Sequence, residues 1–401
     1  MIPNKAKDFG LLFLAISLPL THVPVQFAVV FLLGVALYLR RTDKNVATPT
    51  HIVLKVVAGF VTWNLFCAVV SPRPLHSIWA TIDNEWPSIT MIVLLWLIND
   101  VRELRMVLRA FFYSATIVAV YSVVTAFGGY DYVKHKALDP MGDHFFRGAG
   151  FFGLYLTYAA HAMNVFFLSA AYCAEESREE RRKFLYLPFL VLAAIVLTFA
   201  RSIWLAVVVL LPVAAVVRWR RESWRIIVPA FLVVVILITA VPEIRDRASS
   251  IVGVSQNETR LNLWKTAVLM FKDRPIIGIG EDNWDYYFEQ YRTPGFYDTT
   301  VHAHNDYLTE LVNGGIPGFT MFCVIWFLII RIGFRTWKNS TDRLIRAVSL
   351  GGSFGILGLM IGSLFQNYYG TFINCFGWWF LAGLVLVAEK VNRLTETQIS
   401  S

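Results

Sequence analysis

Apolar runs of about 18 or more residues recur along the whole chain, and this repetition limits the fold more than any other feature. Inside hydrocarbon a backbone must hydrogen-bond to itself, so only helices and closed barrels cross a bilayer. The runs lack the period-two alternation of barrel strands and so predict helices. They fall near 9–22, 24–39, 52–70, 86–99, 106–127, 150–173, 184–200, 202–217, 226–241, 316–334, 345–365 and 372–388. The expected fold class is an all-α polytopic membrane protein of about twelve transmembrane helices. A hydrophobic fraction of 56% and a mean hydropathy of +0.55 exclude an ordinary soluble enzyme. The first run has only Lys5 and Lys7 before it and no small-residue cleavage site after it, which reads as a retained helix rather than a signal peptide.

A net charge of +8 invites a nucleic-acid partner, but the placement of Lys and Arg explains it without one. Arg40, Arg41, Arg102, Arg105, Arg178, Arg181, Arg182, Arg218, Arg220, Arg331 and Arg335 all fall in loops on one side of the predicted membrane. The short loops of the other side carry few: Arg73, Lys134, Lys136, Arg147 and Arg201. By the positive-inside rule both termini are cytoplasmic. Cys67, Cys173, Cys323 and Cys375 lie in apolar segments without metal or disulfide spacing and read as small core residues.

The organisation predicted is residues 1–241 with nine spans, an outer loop over 242–315, and residues 316–401 with three spans and a tail. The loop is too long for a connector, and loops of that size are usually functional. Ser255 and Glu258 have capping-box spacing, and Leu261, Trp264, Val268 and Phe271 then recur at helical intervals up to Pro275. Gly278, Gly280, Glu281 and Asp282 form a turn before an aromatic segment from Trp284 to Tyr291. Two amphipathic helices covering a cavity between the spans are expected. A second outer loop, 128–149, carries Asp139, Asp143, His144 and Arg147.

Titratable groups gather where this loop re-enters the membrane, in TVHAHNDYLTELVNGGIPG at 300–318. A short helix there should stop at Gly314 and Gly315, with Pro317 preventing continuation. His304 is the leading candidate for proton transfer, because an imidazole titrates near neutral pH. His302 is a neighbour or substrate contact. The pair could open a metal site, but no third and fourth ligand stand at a recognisable spacing, so no metal is expected. Arg201 in TFARSIW, Arg260 at the head of the loop helix and Arg147 before Gly148 each sit at a helix end near the outer boundary. Each could be a headgroup-snorkelling or solvated charge; together they suit a phosphate or pyrophosphate, which a planar guanidinium grips with two bonds. Glu281, Asp282 and Asp285 offer an alternative base or cation site, or merely a solvated turn. Gln366, Asn367, Tyr368 and Tyr369 make a short outer loop with sugar-compatible groups, which an interfacial belt explains equally well.

Several of these stretches together resemble the bacterial O-antigen ligases, within the wider superfamily of O-antigen ligases and polymerases. The matching residues are Arg147 with Gly148 and Gly150; Arg201 with Ser202 and Trp204; Arg260 with Trp264, Pro275, Gly278 and Gly280; and His304 with Asn305, Tyr307, Leu308, Gly315, Pro317 and Gly318. The resemblance implies a GT-C-like membrane fold with a large periplasmic loop, in the bacterial inner membrane. It also implies an inverting glycosyl transfer that needs no metal or cofactor, from a glycan on undecaprenyl pyrophosphate to a sugar hydroxyl of lipid A–core oligosaccharide. His304 would be the general base; Arg201, Arg260 and Arg147 would hold the pyrophosphate; His302, Asn305, Tyr307, Trp264 and Gln366 are possible substrate contacts. The alternatives are the related polymerase, which uses the same donor, and a transporter of anions or lipid-linked sugars. No internal repeat of the kind transporters favour is visible.

Overall fold

The computed structural model describes residues 2–43, 48–250, 257–300 and 302–400. It is 78% helical with almost no sheet. The chain opens with α1 (Ile2–Leu20), α2 (His22–Thr42) and α3 (Ile52–Val69), followed by the short α4 (Pro74–Glu85), α5 (Ile89–Leu97) and the long α6 (Val101–Gly128). Two small hairpins fill the next loop, β1 (Tyr130–Asp131) with β2 (Lys136–Ala137) and β3 (Pro140–Met141) with β4 (Phe145–Phe146). Then come α7 (Tyr155–Glu175), α8 (Arg178–Phe184), α9 (Leu187–Leu197), α10 (Arg201–Trp219) and α11 (Trp224–Ala240). The late loop holds α12 (Pro242–Ser249), α13 (Glu258–Asp273) and α14 (Trp284–Tyr291), and the chain closes with α15 (Asp306–Asn339), α16 (Arg343–Gly362) and α17 (Phe372–Ser400).

Every predicted apolar segment contains helix, but the helices differ in reach. Among the described residues seven are long and apolar enough to cross a membrane: α2, α3, α6, α10 with the turn after it, α15, α16 and α17. Joining α11 to α12 across their 102° bend makes eight. The segments at 86–99 and 184–200 hold only the 9 residues of α5 and the 11 of α9. A 3-10 turn at Trp86–Ser88 precedes α5, and Asn99 and Asp100, the latter the cap of α6, follow it. Phe199, at φ 53°, ends α9 in a left-handed turn. The seventh helix starts at Tyr155 rather than at 150, because Gly150 and Gly153 stand at φ 53° and φ 73°, outside helical backbone.

The core lies between α7, α16 and α17. Small residues let these helices close up, as membrane interfaces require: a Cβ on Gly351 of α16 would stand 2.7 Å from the Leu168 Cα of α7. Trp326 of α15 meets Trp378 and Trp379 of α17, all three fully buried. The two ends of α7, about 30 Å apart, differ in charge. At its last residue Glu175 takes Arg218 and Arg346, while its first, Tyr155, lies under Arg147.

The late loop has a hydrophobic core of its own, formed by Leu263, Ala267, Met270, Ile279, Trp284, Tyr287, Phe288, Ala303 and Val312. It contains three described helices rather than two, since α12 precedes the expected pair. Ser255 of the predicted capping box lies outside the described residues. The expected stop at Gly314 and Gly315 is a kink: α15 runs on through Gly315, whose φ 62° and ψ −166° only glycine tolerates. The preceding turn packs into that kink through Ile279 N–H on Val312 O, Gly280 N–H on Asn313 O and Ile316 N–H on Pro275 O, all 2.9–3.0 Å.

Candidate functional site

Three consecutive side chains bolt the start of α15 to the last turn of α16 and the loop after it. Asn305 caps α15 by accepting the Leu308 N–H (3.1 Å) and donates to the Leu364 carbonyl (3.0 Å). The Asp306 carboxylate, 1% exposed, accepts the backbone N–H groups of Tyr368, Tyr369 and Gly370 at 2.9, 2.8 and 3.2 Å. The Tyr307 hydroxyl donates to the Met360 carbonyl at 2.9 Å. Their combined effect is to fix Gln366 against His304.

His304 itself sits at φ 51°, a left-handed backbone that is uncommon outside glycine and worth holding only where the side chain must point one way. Its Nδ1 lies 2.9 Å from Gln366 Oε1. An amide oxygen only accepts, so Nδ1 carries the proton and Nε2 keeps the lone pair. That Nε2 is buried and has no hydrogen-bond partner. Burial holds the imidazole below its ordinary pKa, the Gln366 bond opposes this, and the nearby charge of Arg260 lowers it further. His302 is placed differently. Its Nδ1 is spent accepting the His304 backbone N–H (3.1 Å), the two rings are 4.1 Å apart, and burial with the His304 charge takes it down to about 4. Of the two imidazoles, His304 has the free basic nitrogen.

The predicted arginines lie close enough to feel one another's charge, and Arg260 acts on the His304 ring. Trp264 donates its indole N–H to Ala303 O (3.1 Å), pinning α13 to the histidine segment. Arg260 lies one turn earlier on the same face of α13. Burial lowers Arg260, while the Tyr368, Tyr155 and Asp298 side chains act in the opposite sense. Arg201 starts α10; its Nη1 donates to the Ser250 carbonyl (2.5 Å) and hydroxyl (3.2 Å), and its Nη2 reaches Asn257 Oδ1 at 3.5 Å. The adjacent Ser202 hydroxyl meets the Tyr368 hydroxyl at 2.9 Å. Arg147 stacks over the Tyr155 ring at 4.3 Å, with only the Met141 sulfur accepting from its Nε. Among the described residues none of these three guanidiniums is within ion-pair distance of a carboxylate, and Arg260 makes no hydrogen bond.

Sequence reasoning missed a fourth arginine. Arg247, in the polar stretch of α12, donates its Nε to the Phe199 carbonyl at 3.0 Å. Nothing in PEIRDRAS distinguishes it from a solvated helix; only the bend between α11 and α12 brings it here.

Glu281, Asp282 and Asp285 do not form one site. Asp285 pairs with Arg73, and Asp282 stands 2.9 Å from His76. Glu281 is buried, bridging the side-chain amides of Asn84 (2.8 Å) and Asn313 (2.9 Å), and desolvation raises it to about 7. Glu85, accepting the Tyr369 hydroxyl at 2.9 Å, is raised to about 8 by the same cause. Glu85 was not singled out from sequence, and Glu281, read there as an alternative base or cation ligand or as a solvated turn, is a buried acid between two side-chain amides. Among the described residues no three His, Cys, Asp or Glu side chains are grouped to hold a metal ion.

In chemical terms the site joins an unspent imidazole lone pair to guanidinium donors that, among the described residues, have no carboxylate in contact. The family described as O-antigen ligase matches residues 186–323, which include Arg201, Arg247, Arg260, Trp264, His302 and His304 and leave out Arg147 and Gln366. No curated protein matches the chain.

Proposed function

We propose, from the match of residues 186–323 to the family described as O-antigen ligase, that this chain is a glycan ligase working at the outer face of a bacterial inner membrane. The donor is a glycan on undecaprenyl pyrophosphate and the acceptor a hydroxyl of lipid A–core oligosaccharide. The observation that carries this reading is the buried, unpartnered Nε2 of His304 beside the Arg260 guanidinium, which has no carboxylate within ion-pair distance among the described residues.

The acceptor hydroxyl attacks the anomeric carbon, and its proton passes to His304 Nε2. The bond from that carbon to the diphosphate oxygen breaks with inversion, and the electron pair leaves on undecaprenyl pyrophosphate. Such a leaving group needs positive charge more than it needs a proton. Preorganised guanidiniums in a water-poor cleft supply that charge strongly. Arg201, Arg260 and Arg147 take this role, which a divalent ion fills in other phosphate-transfer sites. His302, Asn305, Tyr307, Trp264 and Gln366 line and order the site; in this geometry Asn305 and Tyr307 act through the loop they hold.

The same reading makes α1, α5, α7 and α9 membrane elements too, for twelve spans with both termini cytoplasmic, in a GT-C-like arrangement. Residues 1–241 and 316–401 form the membrane part and 242–315 a periplasmic cover. Its test is the lipopolysaccharide of a strain lacking the protein. Core without O-antigen, with long glycan accumulated on undecaprenyl pyrophosphate, is expected. Core bearing a single repeat unit assigns the protein as a polymerase instead, and an unchanged ladder removes both readings.

A further inference from the structure

We propose that Arg247 is a fourth guanidinium ligand of the diphosphate, an inference that rests on the reading above. Its neighbourhood is a reciprocal crossing of two segments. Arg247 of α12 donates to the carbonyl of Phe199, two residues before Arg201 (3.0 Å); Arg201 in turn donates to the carbonyl of Ser250, at the end of α12 (2.5 Å). Each arginine thereby aligns the other without consuming its charge. Arg247 spends only Nε in this, so both terminal nitrogens are without a hydrogen bond among the described residues. Neither terminal nitrogen is sealed inside protein, so their N–H donors are open to an incoming anion.

The electrostatics points the same way. Arg247 is half-buried, its pKa is pulled down to about 10 by burial first, and then by the charges of Arg147, Arg201 and Arg260. Four like charges assembled without a carboxylate in contact repel one another unless an anion joins them. A diphosphate, with several oxygens and at least two negative charges, matches such a set better than one phosphate. The opposite end of α12 is tied down elsewhere, with Glu243 against His144 at 3.1 Å. Arg245, two residues before Arg247, is mostly exposed and lies 3.7 Å from Asp246, which makes it a control on the same helix.

The test is binding of inorganic pyrophosphate to the purified full chain, with phosphatidylglycerol nanodiscs as a second probe. R247Q should weaken pyrophosphate binding about tenfold or more, R247K by less, and R245Q should not change it. Pyrophosphate affinity unchanged in R247Q overturns the proposal. So does an R247Q defect confined to phosphatidylglycerol, which marks Arg247 as a headgroup anchor. Should the wild type bind pyrophosphate through Arg247 yet transfer no lipid-linked glycan, the ligase reading fails and this one stands.

Discussion

The amide oxygen of Gln366 lies 2.9 Å from His304 Nδ1, across 62 residues of chain. It fixes which ring nitrogen is basic. Replacing His304 by Ala should cut turnover by about 10²–10⁴-fold, the usual worth of a positioned base. His302→Ala should cost less, because its Nδ1 already serves the backbone. Equal losses in the two purified variants, both folded, would remove the assignment.

The same contact has a pH signature. His304 is held below its ordinary 6.5, so it is neutral at pH 7, and turnover should fall only as pH drops through that lowered value. Gln366→Glu puts a carboxylate on Nδ1, favours the charged ring and should move the acid limb to higher pH. An unmoved limb in the pH–rate profile contradicts the proposed tautomer.

Arg201→Lys should raise the donor KM about tenfold or more, since an ammonium cannot hold Ser250 and also present a planar fork. Steady-state kinetics with a lipid-linked donor measure this. Wild-type KM and turnover in the variant would show that Arg201 does not meet the donor.

Asp306→Asn tests the bolt beneath the site. Three backbone N–H groups converge on that carboxylate, and an amide would turn a donor toward at least one of them. A loss of about 1–3 kcal/mol is expected, together with turnover, as Gln366 leaves His304. Thermal melting in detergent and the transfer rate should fall together; a fall in neither would mean the loop is held by other contacts.

Gly315→Ala should be severe, at about 3 kcal/mol or more, because the backbone conformation is glycine-only. The added Cβ would also stand 2.1 Å from the Ile276 carbonyl. Gly34→Ala, which meets nothing within 4 Å, is the control. Comparable melting temperatures for the two would show that the kink relaxes.

Glu85 predicts an alkaline loss of stability. Its folded pKa, about 8, lies above the ordinary 4.5, so the folded state binds the extra proton. Stability from this source is complete below about 4.5 and is lost as pH rises through about 8. Glu85→Gln keeps an acceptor for the Tyr369 hydroxyl and should flatten the melting temperature between pH 7 and 9. A variant as alkali-sensitive as the wild type would place the titration elsewhere.

The presence of a helix in each apolar segment was legible from hydropathy, but not its length, since 86–99 and 184–200 hold helices of only 9 and 11 residues. His304 and three arginines could be picked out as candidates because charge at a membrane boundary is costly enough to stand out. What escaped depended on long-range geometry. The two-residue strands at 130–146 are too short to show a period. Arg247 needed the α11–α12 bend and the Phe199 carbonyl, and Asp306 looks like an ordinary first-turn acid until residues 368–370 fold over it. Glu281 had the composition of a solvated turn, yet the Asn84 and Asn313 amides hold it inside. Gly315 signalled a break correctly; that the helix resumes beyond it follows from the Pro275–Gly280 turn seated in the kink.

The most direct test of the account is transfer by the purified, reconstituted chain from a glycan on undecaprenyl pyrophosphate to lipid A–core. Wild type should yield glycosylated core with inverted anomeric configuration, and His304→Ala, equally folded, should yield it at least about 10²-fold more slowly. Core left untouched by wild type, or core glycosylated as fast by His304→Ala, would contradict it.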